Sequence, residues 1–228
     1  MVTMHIRTLP IPDARTLIVL LAAILTATTL PAFPEPPRSR GEALAALASA
    51  DAAMRAEAVV WIANRGGMRD ARLLHDRLRD ESALVRSYAE QGLWLLWTRS
   101  GDREIDAQMA RGGEALHAGH HKEAIEIFSS IVKAKPAFAE GWNRRATAYY
   151  LAGEYDKSLA DCAEVLKRNP LHFGALSGMG QIYTQLEQYE KALEWFRRAL
   201  EVNPNMVGVE FNIKEVEELL KEKRRGSI

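Results

Sequence analysis

From Gly41 to the C-terminus, apolar residues recur three and four positions apart, as in EAIEIFSSIV, SLADCAEVL and ALEWFRRAL. That is the period of an amphipathic helix. No segment alternates apolar and polar with period two, so no strand is predicted. Glycines cluster at the ends of the periodic segments, where helix stops need them. The pattern predicts an all-α chain.

Two stretches fall outside this pattern. PEPPRSRG, Pro34 to Gly41, reads as a linker by its prolines. Before it, TLIVLLAAILTATTL, Thr16 to Leu30, is apolar and free of charge. It is shorter than the roughly 20 residues that cross a bilayer comfortably. His5, Arg7 and Arg15 precede it, and Ala32 offers a cleavage position. Residues 1–32 therefore read as an export signal or, if uncleaved, a membrane anchor. No cysteine follows, which excludes a lipoprotein anchor. The remainder is expected outside the cytosol, periplasmic or secreted, or held at the inner membrane.

The helical part is repetitive. Pro136, Pro170 and Pro204 are spaced by 34, and each follows a helical segment. At the same offset Tyr149 meets Tyr183, Tyr155 meets Tyr189, Leu159 meets Leu193, and Asn169-Pro170 meets Asn203-Pro204. Gly119 meets Gly153. A 34-residue period with two helices per period resembles the tetratricopeptide repeat.

Three units follow from the resemblance: 105–138, 139–172 and 173–206. The second carries Trp142, Tyr149, Gly153, Tyr155 and Pro170 at signature positions. It departs from the signature at Arg145, Ala146, Ser158 and Cys162. The third carries Leu176, Met179-Gly180, Tyr183, Ala192, Phe196, Ala199 and Pro204. The first is weak in its first helix, with Gln108, Arg111-Gly112 and Ala115, and good in its second, with Ala124, Phe128 and Pro136. The implied fold is an α-solenoid of helix-turn-helix units. Proline ends each second helix because it lacks the N–H that another turn needs.

Upstream, Gly41 to Ser100 aligns with itself at an offset of 31, pairing Arg55 with Arg86, Ala58 with Ala89 and Ile62 with Leu93. LRDESALVRSYAEQGL is similar to a HEAT-type repeat. Trp94 and Trp97 are expected to pack onto the first tetratricopeptide unit and extend one continuous solenoid. Downstream, residues 207–228 read as a capping helix with Phe211, Val216, Leu219 and Leu220 on its apolar side and Glu215 facing water. KEKRRG reads as its solvated end.

Composition narrows the chemistry. Lys and Arg total 30 and Asp and Glu total 30, which argues against a nucleic-acid binder driven by bulk charge. The one cysteine, Cys162, excludes an intramolecular disulfide and a multi-thiolate zinc site. Cys162 itself reads as a small buried apolar residue. GALSGMG, Gly174 to Gly180, looks like a phosphate loop but lacks the Gly-Lys-Ser/Thr ending and a preceding strand; it reads as a helix whose glycines serve packing. His117, His120 and His121 form the one conceivable metal cluster, at a predicted turn, and would suit a metal-handling or enzyme-accessory role. His75 to Glu81 mixes His and acids without a nucleophile–base arrangement. No catalytic constellation, cofactor or small-molecule substrate is expected.

Binding remains. The resemblance implies a concave groove lined by the first helices. Its inward positions are Asp106, Met109, Gly113 and Leu116 in unit one; Glu140, Asn143, Arg144, Thr147 and Tyr150 in unit two; and Gly174, Ser177, Gln181 and Thr184 in unit three. One subgroup of the family clamps a peptide's terminal carboxylate with Lys and Asn. Here those positions hold Met109, Gly113, Gly174 and Gly178, with Arg144 the one base, so that clamp is not expected. The expected role is a protein-interaction scaffold for a peptide segment or helix, or a membrane-tethered assembly factor if Thr16–Leu30 is retained.

Overall fold

A computed structural model describes residues 35–226. The readings of Thr16–Leu30 and of residues 1–32 lie outside the described residues. Among the described residues there are eleven α-helices, one short 3-10 turn and no strand. No helix among them is long and apolar enough to cross a membrane.

The first four helices form two hairpins: α1 (Arg40–Ala46) with α2 (Ala52–Arg65), and α3 (Ala71–Arg77) with α4 (Ala83–Thr98). Asp51 starts α2 by accepting from the Ala53 N–H at 2.8 Å, which satisfies one orphan donor of the first turn. Ala56, Val59, Ile62 and Ala63 of α2 pack with Val85, Ala89, Leu93 and Leu96 of α4 in one core.

The 31-residue offset reappears as geometry. Arg55 Nη1 donates to the carbonyls of Ser49 and Ala50 at 2.9 Å each. Arg86 Nη1 donates to those of Asp80 and Glu81, each 31 residues on, at 2.8 and 2.9 Å. Each arginine then reaches one layer further. Arg55 grips the buried Asp80 carboxylate with two bonds, at 2.9 and 2.8 Å. Arg86 Nε reaches Asn205 Oδ1 at 3.0 Å.

Three further hairpins follow: α5 (Arg103–His117) with α6 (His121–Ala134), α7 (Ala139–Leu151) with α8 (Tyr155–Arg168), and α9 (Phe173–Gln185) with α10 (Tyr189–Val202). Each ends in a turn with a left-handed residue between its helices: Gly119 and Gly153 at φ +76°, and Glu187 at φ +54°. The spacing is 34 throughout, and the third position lacks the glycine that this conformation favours. GALSGMG is part of α9, as the sequence predicts, with no loop to cradle a phosphate.

Each hairpin closes around a contact 16 residues apart. A Cβ added to Gly112 would lie 2.5 Å from the Phe128 ring, and one on Gly180 would lie 2.5 Å from Phe196. In the middle hairpin the same positions hold Ala146 and Cys162. There the larger small residue faces the smaller large one, so both departures from the signature belong to one contact. Burial pushes the Cys162 thiol up to about 12, so it stays a protonated packing group.

The last helix, α11 (Val207–Gly226), packs Val209, Ile213, Val216 and Leu220 against α10. These fall on one face at steps of four and three. Phe211 is 61% exposed. Its expected place on the apolar side is therefore corrected: two residues from Val209, it is carried around the helix and away from α10.

The two helical regions meet differently from expectation. Neither Trp94 nor Trp97 belongs to the buried core of α5 and α6. They pack on the joint between α8 and α9. Trp97 stacks on His172 with centroids 4.3 Å apart, and Trp94 meets Phe173 edge-on at 5.3 Å. Phe173 belongs to the core of α1–α4. Beyond it, Asn205 Nδ2 donates to the Leu78 carbonyl at 2.8 Å, and Arg79 donates to the Glu201 carbonyl. Thus α1–α4 lie along the loops that join successive hairpins, instead of prolonging the stack. Among the described residues this leaves the outer side of α5 uncovered. A cavity of about 640 Å³ lies there, lined by Gln108, Arg111, Ala115 and Glu123 among others. Among the described residues no hairpin covers that side, and polar residues stand where the signature has large apolar ones.

Candidate functional site

Two neighbouring cavities mark the groove between α7, α9 and α11. The first, about 110 Å³, is lined by Asn143, Thr147, Tyr150, Gly174, Gly178 and Gln181, with Ala146, Ser158, Cys162 and Ile182 behind. The second, about 250 Å³, is lined by Tyr150, Gln181, Thr184 and Gln185, and by Asn212, Glu215, Val216 and Leu219 of the last helix. Tyr150 and Gln181 belong to both and join them. At one end the Trp94 ring closes on Gly174; a Cβ there would sit 2.4 Å from it.

The helical period sets the lining. Positions 143, 147 and 150 lie on one side of α7, and 174, 178, 181 and 185 on one side of α9. Glycine at 178 lowers the floor, whereas the space beside Gly174 is taken by Trp94. Tyr150 is held by its ring against Tyr155, 5.8 Å away. Thr184 is turned inward on its own helix, donating to the Gly180 carbonyl at 2.9 Å. By contrast, the carboxamides of Gln181, Gln185 and Asn212 make no hydrogen bond within the described residues. Each is a donor–acceptor pair free to meet another group.

Beside the groove lies a buried polar joint. Glu140 and His172 have fully buried side chains and meet through Glu140 Oε2 and His172 Nε2 at 3.1 Å. His172 Nδ1 accepts from the Ala175 N–H at 3.1 Å, which assigns the ring hydrogen to Nε2, facing the carboxylate. Asn143 Nδ2 donates to Glu140 Oε2 at 3.0 Å, and Arg144 Nε to Oε1 at 2.7 Å. A buried carboxylate needs such partners. The joint therefore holds His172 in place as the platform for Trp97.

The sequence-predicted positions divide accordingly. Asn143, Thr147, Tyr150, Gln181 and Thr184 come together in the groove with Gly174. Arg144 lies at its side, engaged by Glu140. Ser177 is buried, 7% exposed. Asp106 accepts from the Ser100 N–H at 3.0 Å and so fixes the start of α5. Met109 and Leu116 pack on the core of the first hairpin. Neither Asp106, Met109 nor Ser177 lines the two cavities. The sequence reading missed Gln185, Asn212, Glu215 and Leu219. Gln185 was reachable one helical turn beyond Gln181. The three from α11 were not, because only packing shows which of its sides faces α9.

The histidines sit as predicted around a turn: His117 ends α5, His120 precedes α6 and His121 starts it. His120 Nδ1 lies 3.5 Å from Glu123 Oε2. Among the described residues no three His, Cys, Asp or Glu side chains gather in a metal-ligand set.

Stacked helix hairpins with a groove on one side define a helical-repeat protein. Residues 139–171 and 174–206 match the tetratricopeptide repeat family model, so the chain carries tetratricopeptide repeats. Over 110 residues it is 36% identical to a tetratricopeptide repeat-containing protein of Rhizobium etli, covering 48% of this chain and 54% of that one. It is 31% identical over 94 residues to the small glutamine-rich tetratricopeptide repeat-containing protein of Dictyostelium discoideum, covering 41% and 28%. Over 123 residues it is 24% identical to the Hsp70-Hsp90 organizing protein of Triticum aestivum, covering 54% and 21%. The chain thus spans about half the length of the first of these relatives, and less of the others. Among solved structures, the tetratricopeptide domain of Sgt2 from Aspergillus fumigatus shares the fold at 21% identity and TM-score 0.53, covering 56% of this chain and 85% of that one.

Proposed function

We propose that the protein is a non-enzymatic interaction scaffold that holds a segment of a partner protein in the groove between α7, α9 and α11. The observation that carries this reading is the row of unengaged carboxamides, Gln181, Gln185 and Asn212, around the cavity of about 250 Å³, which shares Gln181 with its glycine-lined neighbour. Gln181 and Gln185 are exposed and Asn212 is half-buried, so each can exchange solvent for the backbone groups of a bound segment. The Triticum relative is named for organising Hsp70 and Hsp90, which fits a scaffolding mode of action. The apolar Thr16–Leu30 supports export, and so a place outside the cytosol. The matching roles of Arg55 and Arg86, 31 residues apart, support reading 41–100 as a HEAT-like segment.

The test is a crosslinking pull-down from the envelope fraction, comparing wild type with Tyr150→Ala/Gln181→Ala/Gln185→Ala. Asn143 and Arg144 are left alone because they hold the Glu140 joint. A partner captured by wild type and lost by a variant of unchanged helicity and Tm is the expected result. Identical capture by both would reject the groove. Sequencing the N-terminus of the mature protein checks export; a chain starting at Phe33 is expected.

A further inference from the structure

We infer that the segment held in this groove is extended, uncharged along most of its length, and carries a lysine or arginine beside Glu215. This rests on the groove reading above and specifies its ligand. Among the described residues that line the two cavities, the one charged side chain is Glu215. No lysine, arginine or histidine lines either. Arg144, at the side of the groove, is spent on Glu140 at 2.7 Å. An acidic segment would therefore give up hydration without gaining a cation, a cost that works against the wrong partner.

Two features favour an extended backbone over a helix. A docked amphipathic helix needs a continuous apolar trough, and here Phe196, Val216 and Leu219 are interleaved with Gln181, Thr184, Gln185 and Asn212. An extended segment presents alternating N–H and C=O groups, which the free amides of Gln181, Gln185 and Asn212 match as donor–acceptor pairs. Gly178, which has no side chain to stand above Cys162, lets that backbone come close. Trp94 walls one end at Gly174, and Glu215 and Leu219 mark the other. The basic residue then belongs at the α11 end, with its stem along Leu219.

The test is selection from a phage-displayed nonapeptide library against the full chain, counter-selected on Tyr150→Ala/Gln181→Ala/Gln185→Ala. Enrichment of Lys or Arg at one position, with Asp and Glu depleted throughout, is expected. The consensus peptide should bind Glu215→Gln about threefold more weakly by fluorescence anisotropy, the size of an exposed ion pair. Glu215→Lys should reverse the choice toward Asp or Glu at that same position. Enrichment of acidic peptides, or a Lys preference unchanged in Glu215→Gln, would overturn the charge assignment while leaving the groove standing. Equal selection by the wild type and the triple variant would instead remove the groove itself, and this inference with it.

Discussion

Between α1 and α4 the fixing contacts run from guanidinium to carboxylate and carbonyl; in the first and third hairpins of α5–α10 they run from ring to glycine. Arg55 and Arg86 read the backbone of their own turns and reach the next layer. Phe128 and Phe196 lie on glycine and set how closely two helices approach. Polar ties of the first kind join whatever layer offers an acceptor, which is how α1–α4 can end on a repeat loop through Asn205. Ring-on-glycine packing accepts only a partner of the right depth. The middle hairpin stands between the two. With Ala146 and Cys162 in place of the ring and glycine, it adds a bidentate Arg145–Asp161 pair at 2.7 and 2.8 Å. Ser158 Oγ also donates to the Ala146 carbonyl at 2.7 Å.

The largest separation between the regions should come from Phe196→Ala. Emptying that site should cost about 3–5 kcal/mol, read as a drop in the denaturation midpoint, with protection lost first over α9–α11. A midpoint shift of under about 1 kcal/mol would mean that the ring does not set the hairpin.

Acid should pick out the other region. Burial pushes His75 below its ordinary 6.5. Its contribution is complete above that value and is lost as the pH falls toward the folded one. The bonds from Arg55 hold Asp80 below its ordinary 3.8, against burial. Burial raises Asp70 too, but the bond from Arg40 and the Gly67 N–H outweigh it and leave that carboxyl low. Both carboxylates contribute fully above about pH 4 and lose that contribution as the pH drops through their folded values. Hydrogen exchange, corrected for intrinsic rates, should show α2–α4 opening on acidification before α9 and α10. Simultaneous opening would contradict the contrast.

Asp80→Asn should imitate that acid effect at neutral pH, lowering stability by about 1.5–3 kcal/mol through its charge-assisted bonds. Gly180→Ala should cost about 1–3 kcal/mol by overpacking. Adding Phe196→Cys, the pair found in the middle hairpin, should then cost less than the sum of the two single changes in a double-mutant cycle. Strict additivity would show that depth is not what couples positions 180 and 196. The smallest change is a gain. Glu187→Gly removes a side chain from a left-handed residue and should stabilise by about 0.5–1 kcal/mol. Lys223 Nζ bonds the Glu187 carbonyl at 2.9 Å, a bond that survives the substitution, while the exposed 3.8 Å ion pair of Lys223 with the Glu187 carboxylate is lost and offsets part of the gain.

Much of the repeat region was legible beforehand, for local reasons. Pro136, Pro170 and Pro204 end helices wherever they occur, and the step from Gly180 to Phe196 lies within one hairpin. The groove was half legible. Asn143, Thr147, Tyr150, Gln181 and Thr184 follow from the helical period, and Ser177, on the same helix as Gln181, turned out buried. What occupies Arg144 was not legible, because Glu140 is an ordinary acid in sequence and a buried anchor in the fold.

The sequence by itself determined the helices, their 34- and 31-residue repeats and the side of each repeat that carries polar residues. Those features depend on backbone chemistry and on neighbours within about one turn or one hairpin. Only the tertiary structure decided that α1–α4 lie along the inter-hairpin loops, that Trp97 stacks on His172, and that α11 turns Asn212 and Glu215 into the groove. The deciding contacts join residues as far apart as Leu78 and Asn205, separated by 127 positions. At that distance no periodicity links the partners; what selects them is which surfaces can bury Phe173 and satisfy Asn205 together.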